Sequence, residues 1–223
     1  MTPVALALVW LASAPMPVFA LPPANGAQRP SAGPAQVRPA PPQGPATRAQ
    51  LCHTKSIPAV TPTSDFELGA DGTAHHKPTG LTWMRCALGQ KWDGKTCTGT
   101  ASSYDWQAAL KAAVDFNAAG GYAGHKDWRV PNIKELDSIF ELQCAWPAVN
   151  LTVFPATPQY RFWSSTAGYR YPKDYALYAN FENSYTDDQK ASDAYHVRLV
   201  RGGAGEAAFD AKVVPRKSAT MGR

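Results

Sequence analysis

Apolar residues recur with two different periods through the middle of this chain. Trp106, Ala109, Leu110, Ala113, Val114 and Phe116 fall three or four positions apart, the spacing that lines one face of a helix. Ser102 with Asp105 three residues later predicts a capping box at its start, and Gly120-Gly121 predict its end. A second stripe, Ile133, Leu136, Ile139 and Phe140, follows Pro131. Here Asn132 is placed to cap the helix and Glu135 to close the box, with the helix running to near Cys144 and Pro147. Strand-like runs flank the two helices. Residues 66–68 precede a turn at Asp71-Gly72, and residues 81–84 follow the turn Lys77-Pro78-Thr79-Gly80. Later come residues 162–165, residues 176–181, and an alternating run over 195–201 with Tyr195, Val197 and Leu199 on one face. Strands, then two helices, then strands predict an α+β domain rather than a doubly wound sheet.

This periodicity is missing at both ends. Residues 4–12 are nearly all apolar but too few for a membrane span, which needs ~20 such residues. With the small residues of Val18-Phe19-Ala20 behind them, they predict a signal peptide over 1–20, cleaved after Ala20. Residues 21–50 are mostly Pro, Ala, Gly, Gln and Arg and read as an extended linker. The domain is expected over 51–203, and a flexible tail over 204–223.

Charge changes the picture only in where it lies. The formal net charge is +5, yet residues 51–203 hold 15 bases and 15 acids, so the excess sits in the two ends. A neutral domain gives no footing for a nucleic-acid partner, and none is expected. The mature chain carries no expected transmembrane segment.

Four cysteines, Cys52, Cys86, Cys97 and Cys144, suit an exported protein and allow three pairings. The stretch between Cys86 and Cys97 holds Gly89 and Gly94 and can fold back on itself, which favours Cys86–Cys97 and leaves Cys52–Cys144. No C-x-x-C pair supports a zinc site.

Five motifs in order carry a family resemblance. They are Thr79-Gly80-Leu81-Thr82-Trp83, Trp128 to Leu136 (WRVPNIKEL), Phe154-Pro155, Phe162-Trp163-Ser164-Ser165-Thr166, and Val197 to Gly203 (VRLVRGG). Over residues 64–203 the chain resembles the Lcl C-terminal domain family, a domain of unknown function named after part of a bacterial collagen-like surface adhesin. The resemblance implies an exported bacterial protein and a C-type-lectin-like α+β domain with two helices and a long irregular region. Together with the cysteines and strand runs above, the expectation is a single such domain with short antiparallel strands and long loops, stapled by disulfides. The named adhesin is linked to sulfated glycosaminoglycans. This chain departs from it in carrying no collagen repeat before the domain and in having His75-His76 where relatives often carry Asp.

Candidate chemistry is sparse, and no enzyme is expected. There is no Ser-His-Asp order, phosphate loop or H-E-x-x-H motif. Formylglycine-generating enzymes share some of these phrases, but their reactive cysteines lie in the C-terminal part, and no cysteine follows Cys144 here. Trp83, Trp128 and Trp163 read as core aromatics. Arg129 and Arg198 read as partners for Glu135, Glu141 or Asp127. His75, His76, His125 and His196 read as exposed, not as metal ligands, since neighbours on a strand face opposite ways. No cofactor is expected, with calcium the one ion that suits the stretch containing Asp187 and Asp188. Tyr169, Tyr171, Tyr175 and Tyr185 stand in polar, loop-like sequence and offer flat faces with hydroxyls to a ligand. The expected function is therefore an exported, non-catalytic binding module in the periplasm, on the cell surface or secreted. It is expected to take a glycan or polysaccharide through loops in 160–193, in the manner of an adhesin. The alternative is a structural or assembly component of the cell envelope that binds another protein.

Overall fold

The computed structural model describes residues 48–169 and 171–203. The expected signal peptide, nearly all of the linker, and the tail from 204 lie outside them. In chain order the elements are β1 (Leu51–Cys52), a 3-10 turn (Thr63–Asp65), β2 (Phe66–Leu68), β3 (Thr73–His76), β4 (Leu81–Met84), β5 (Lys91–Trp92), β6 (Cys97–Thr98), β7 (Ser103–Tyr104), α1 (Trp106–Ala118) and α2 (Ile133–Asp137). After them come β8 (Cys144–Ala145), β9 (Arg161–Ala167), β10 (Tyr175–Asn180), β11 (Tyr185–Lys190), β12 (Tyr195–His196) and β13 (Val200–Gly202). The fold is α+β, built on a five-stranded sheet in the order β11-β10-β9-β12-β7 and a four-stranded antiparallel sheet in the order β13-β4-β3-β2.

The larger sheet is covered on both faces, which explains its run of buried positions. Phe162, Leu177, Ala179 and Phe181 pack with Ile133, Leu136, Ile139 and Phe140 on one side. Trp163, Ala176, Tyr178 and Tyr195 pack with Trp106, Ala109, Ala113 and Trp128 on the other. Each fully buried Leu or Ile in these clusters contributes ~1.5–3 kcal/mol. The indoles fix the layers in register as well as filling them. Trp106 donates to the Ser164 carbonyl at 2.7 Å, and Trp163 donates to the Tyr104 carbonyl at 2.8 Å. The core role read for Trp83, Trp128 and Trp163 is what the structure shows.

Several expectations need correction. The first helix is capped by Asp105, whose side chain accepts from the Ala108 amide, and not by Ser102. Residues 103 and 104 are already committed to β7, where they pair with β12, so the helix cannot begin earlier. Its buried face is Trp106, Ala108, Ala109, Ala112 and Ala113, and Val114 is 66% exposed. Alanines bring the helix close to the sheet and leave Val114 on the outer edge. The second helix has the expected Asn132–Glu135 box but spans only five residues. Ile139 and Phe140 are buried in the turn beyond it.

The strand expected over 195–201 is two strands in two sheets. His196 pairs with Ser103 and Phe162 in the larger sheet, whereas Val200 pairs with Trp83 in the smaller one. Between them the Val197 carbonyl accepts from the Leu88 amide, and the Leu199 carbonyl accepts from the Met84 amide. The crossing segment is therefore hydrogen-bonded and buried on all sides, and His196 is buried rather than exposed. Arg198 within it meets none of the carboxylates expected for it. It is 1% exposed, bonds the carbonyls of Met84 and Arg85 and the Thr157 hydroxyl, and lies over the Phe154 and Phe162 rings. Burial lowers its pKa to about 9. Asp127 pairs instead with Arg201, and Glu141 accepts from the amides of Val60 and Thr61.

Disulfides join Cys52 to Cys144 and Cys86 to Cys97. The first ties β1 to β8 at the entrance of the domain, and the second closes the β5–β6 hairpin. No helix among the described residues is long and apolar enough to cross a membrane.

Candidate functional site

The stretch expected to form binding loops, 160–193, is mostly strand. Antiparallel pairing sets Arg161 opposite Asn180 and Asn180 opposite Tyr185, so one row crosses β9, β10 and β11. The next row is Trp163, Tyr178 and Asp187. Residues paired in this way project to one face of a sheet, and Tyr195 on β12 joins the same face. β11 went unread because its residues, Tyr-Thr-Asp-Asp-Gln-Lys, are polar. It is one of the sheet's two edge strands, and charge on such a strand blocks unwanted pairing.

At the Arg161 end of this face the side chains gather around one guanidinium. Arg161 donates to the Tyr195 hydroxyl at 2.9 Å. Its guanidinium carbon lies 5.0 Å from the Tyr178 ring centre, 5.4 Å from that of Tyr195 and 5.7 Å from that of Tyr160. The Tyr178 and Tyr185 hydroxyls meet at 3.5 Å. The Tyr195 hydroxyl donates to the Asp193 carboxylate at 3.4 Å, and Asp193 also accepts from the Gln189 side-chain amide at 2.9 Å. Among the described residues no carboxylate lies within 4.0 Å of the Arg161 guanidinium. Arg129 and Arg201 differ, each holding a carboxylate within 2.8 Å.

The environment separates the phenols. Burial raises the Tyr178 pKa, reinforced by the hydroxyl of Tyr185. Burial pushes Tyr195 up to about 12 against the pull of Arg161. Tyr185 moves down, chiefly through its hydrogen bond with Tyr178 and in part through Arg161. The upward shifts keep Tyr178 and Tyr195 protonated near neutrality, so the site presents one cation, phenol hydroxyls and aromatic faces.

The four tyrosines named from the sequence do not form one patch. Tyr169 and Tyr171 lie at the β9–β10 connection, 78% and 59% exposed, and the Tyr171 and Tyr175 rings stand 5.6 Å apart. Tyr185 lies at the other end of β11, beside Arg161. Tyr175 pairs with Lys190, five residues along from Tyr185, which puts the two groups ~17 Å apart. Arg161 was missed because nothing local marks it. Its neighbours come from β9, β10, β11 and β12, and only the register brings them together.

The metal candidates fare differently from the tyrosines. Asp187 pairs opposite Tyr178 and Asp188 opposite Leu177, so the two carboxylates leave opposite faces of β11. His75 bonds Thr82 while His76 is buried against Phe66, His196 is buried, and His125 is exposed. The structure thus corrects the reading of His76 and His196 as exposed. No group of three His, Cys, Asp or Glu side chains able to hold a metal forms among the described residues.

The model of the Lcl C-terminal domain family matches residues 72–201. No curated protein matches the chain. The matched span runs from Gly72, which turns the chain into β3, to Arg201 in β13, and it includes Arg161 and every strand of the larger sheet. It covers more than half of the 223 residues, and the chain belongs to the Lcl C-terminal domain family.

Proposed function

We propose that this chain is an exported, non-catalytic binding module that takes a glycan at the exposed rim of the larger sheet, along the β9–β10 connection and the edge strand β11. Two disulfides are consistent with an exported or extracellular setting. The observation that carries the reading is where the tyrosines lie. Tyr169, Tyr171 and Tyr185 are exposed large side chains, and all belong to the connections and edge of this one sheet. A phenol at the surface offers a flat apolar face for a sugar ring and a hydroxyl for its polar rim. The family, an extracellular domain of unestablished function that takes its name from part of an adhesin, fits this reading.

The test is a binding screen of the purified exported chain against a panel of neutral, carboxylated and sulfated glycans, run with calcium and with chelator. Saturable binding that Tyr185→Ala or Tyr171→Ala weakens at least tenfold supports the reading, and loss of binding in chelator adds calcium to the site. A blank panel from folded, disulfide-bonded protein overturns it.

A second reading, a cell-envelope component that binds another protein, is favoured by a different surface. Leu51 and Leu142, 48% and 56% exposed, line a recess with Cys144 and Trp146 beside the entrance of the domain. Co-purification of an envelope protein that Leu51→Ser and Leu142→Ser abolish would select it over the glycan module.

A further inference from the structure

We infer that Arg161 is the seat for a single carboxylate of a sugar acid, with Tyr185 and Tyr195 flanking it. This rests on the glycan reading and names the chemistry of the ligand. Four observations carry it.

A guanidinium held partly out of solvent needs partners for its N–H donors, and a carboxylate matches their geometry best. Arg161 is held in place by a phenol hydroxyl and three aromatic rings instead, so its orientation is fixed while its charge is met by no acid within 4.0 Å among the described residues. A planar, pre-oriented fork of this kind suits the two oxygens of a carboxylate.

The position is also open to a ligand. Arg161 is half-buried, Tyr185 beside it is exposed, and Tyr160 is half-buried. Their rings provide the flat surface against which a pyranose ring packs.

Charge selects among anions. Asp187 lies one pair along the same face, next to Tyr178, and Asp193 is joined to Arg161 through the Tyr195 hydroxyl. These two acids repel a ligand with several negative groups per sugar, and they accept hydrogen bonds from ring hydroxyls. A polyol with one carboxylate, a uronic or ulosonic acid residue, satisfies the cation and both acids. A densely sulfated chain satisfies the cation and opposes both acids. The balance of 15 bases and 15 acids over 51–203 adds no wider positive field to attract a polyanion.

Finally, a hydroxyl stands at the surface beside the cation. Tyr185 is exposed and its hydroxyl can bond a carboxylate oxygen or a ring oxygen, while the buried Tyr195, engaged by Arg161 and Asp193, holds the guanidinium in place.

The experiment titrates the exported chain with a disaccharide ending in glucuronic acid, its neutral glucose counterpart and a sulfated disaccharide, using calorimetry at low salt. The glucuronate probe is expected to bind at least tenfold more tightly than either of the others. Arg161→Met is expected to remove that preference, and Arg161→Lys to keep only part of it, because an ammonium cannot make the paired contact. Tyrosine side-chain NMR signals of the unaltered protein provide a measurement that does not depend on a variant folding. Those of Tyr178, Tyr185 and Tyr195 should move on titration, and that of Tyr122 should not. Equal binding of the glucuronate and neutral probes overturns the inference and leaves the glycan reading standing. Stronger binding of the sulfated probe overturns the choice of carboxylate. Binding of none of the three by folded protein, with a blank glycan panel, removes both.

Discussion

Arg129 and Glu135 meet through two parallel hydrogen bonds of 2.6 and 2.7 Å, and the same carboxylate accepts from the Asn132 amide at 2.8 Å. One side chain thus closes the capping box of α2 and holds the arginine that also donates to the Gly202 carbonyl on β13. The motif couples a helix start to the last strand of the smaller sheet, which Arg129 also joins through its backbone, bonding Val200 in both directions.

Glu135 should therefore be worth more than a surface acid. The ion pair alone is partly exposed and contributes only ~0.2–1 kcal/mol, but the cap adds ~1 kcal/mol. Glu135→Gln keeps an acceptor for the Asn132 amide and should cost about 1 kcal/mol. Glu135→Ala removes both and should cost about 2 kcal/mol. Urea unfolding of the two variants checks the order, and an Ala variant no worse than Gln would refute the coupling.

Arg198 makes a sharper case. It is enclosed by protein and serves three acceptors, two carbonyls and the Thr157 hydroxyl, with Phe rings above it. Replacing it with Met fills similar space but leaves buried carbonyls without a donor, at ~1–3 kcal/mol for each group left unsatisfied. Arg198→Met should lower stability by about 3 kcal/mol or more, and Arg198→Lys, with one nitrogen to reach separated acceptors, by about 2 kcal/mol. Thermal unfolding measures both. A Met variant as stable as the parent would show that the rings, not the hydrogen bonds, account for its place.

The two disulfides should separate under reduction. Cys86 and Cys97 are buried, whereas Cys52 and Cys144 are half-buried beside the recess at the domain's entrance. A thiolate must reach a sulfur to exchange with it. Mild dithiothreitol on folded protein should open Cys52–Cys144 first, as followed by alkylation and peptide mass mapping. In the chain-entropy picture, losing this bridge across 92 residues costs ~4.5 kcal/mol against ~3 kcal/mol for the bridge across 11. The bridge that opens first should thus be the one whose loss destabilises more through the unfolded chain. Earlier opening of Cys86–Cys97 would contradict this ordering.

What could be read from the sequence was what local chemistry decides. The Asn132–Glu135 box, the Gly120-Gly121 stop and the core tryptophans each depend on residues a few positions apart or on one large side chain. The helix α1 start could not be read, because β7 takes Ser103 and Tyr104 for pairing with a strand 92 residues away. The division of 195–201 was hidden for the same reason. Its alternation is that of one strand, and only Leu88 and Met84 on the crossing side show that it leaves one sheet for another. At the candidate site, Tyr185 stood out as an aromatic in polar surroundings. Arg161 did not, because its meaning lies in the register that sets it beside Asn180 and Tyr185.

Buried histidines give the chain a pH dependence with a definite sign. His196 is enclosed, its Nδ1 is 3.0 Å from the Ser102 carbonyl, and Phe162 and Tyr160 pack against its ring. Burial pushes its pKa down, with the Ser102 bond opposing. His76 is also lowered by burial, Asp65 opposing and His75 assisting. Above the ordinary histidine pKa of ~6.5 both rings are neutral in folded and unfolded chains, and they contribute nothing to pH dependence. As pH falls below that value the unfolded chain takes up protons that the folded one resists, so stability falls. The loss grows until pH reaches the lowered folded pKa, at up to about 1.4 kcal/mol per pH unit for each histidine. Carboxylates such as Asp127, held low by Arg201, add their own loss only at more acid pH. Urea unfolding at pH 7.5 and at pH 5.5 isolates the histidine window. The parent should lose stability across it, and His196→Asn, which retains a donor for the Ser102 carbonyl, should lose less. An equal drop in a variant lacking both His196 and His76 would assign the pH dependence to other groups.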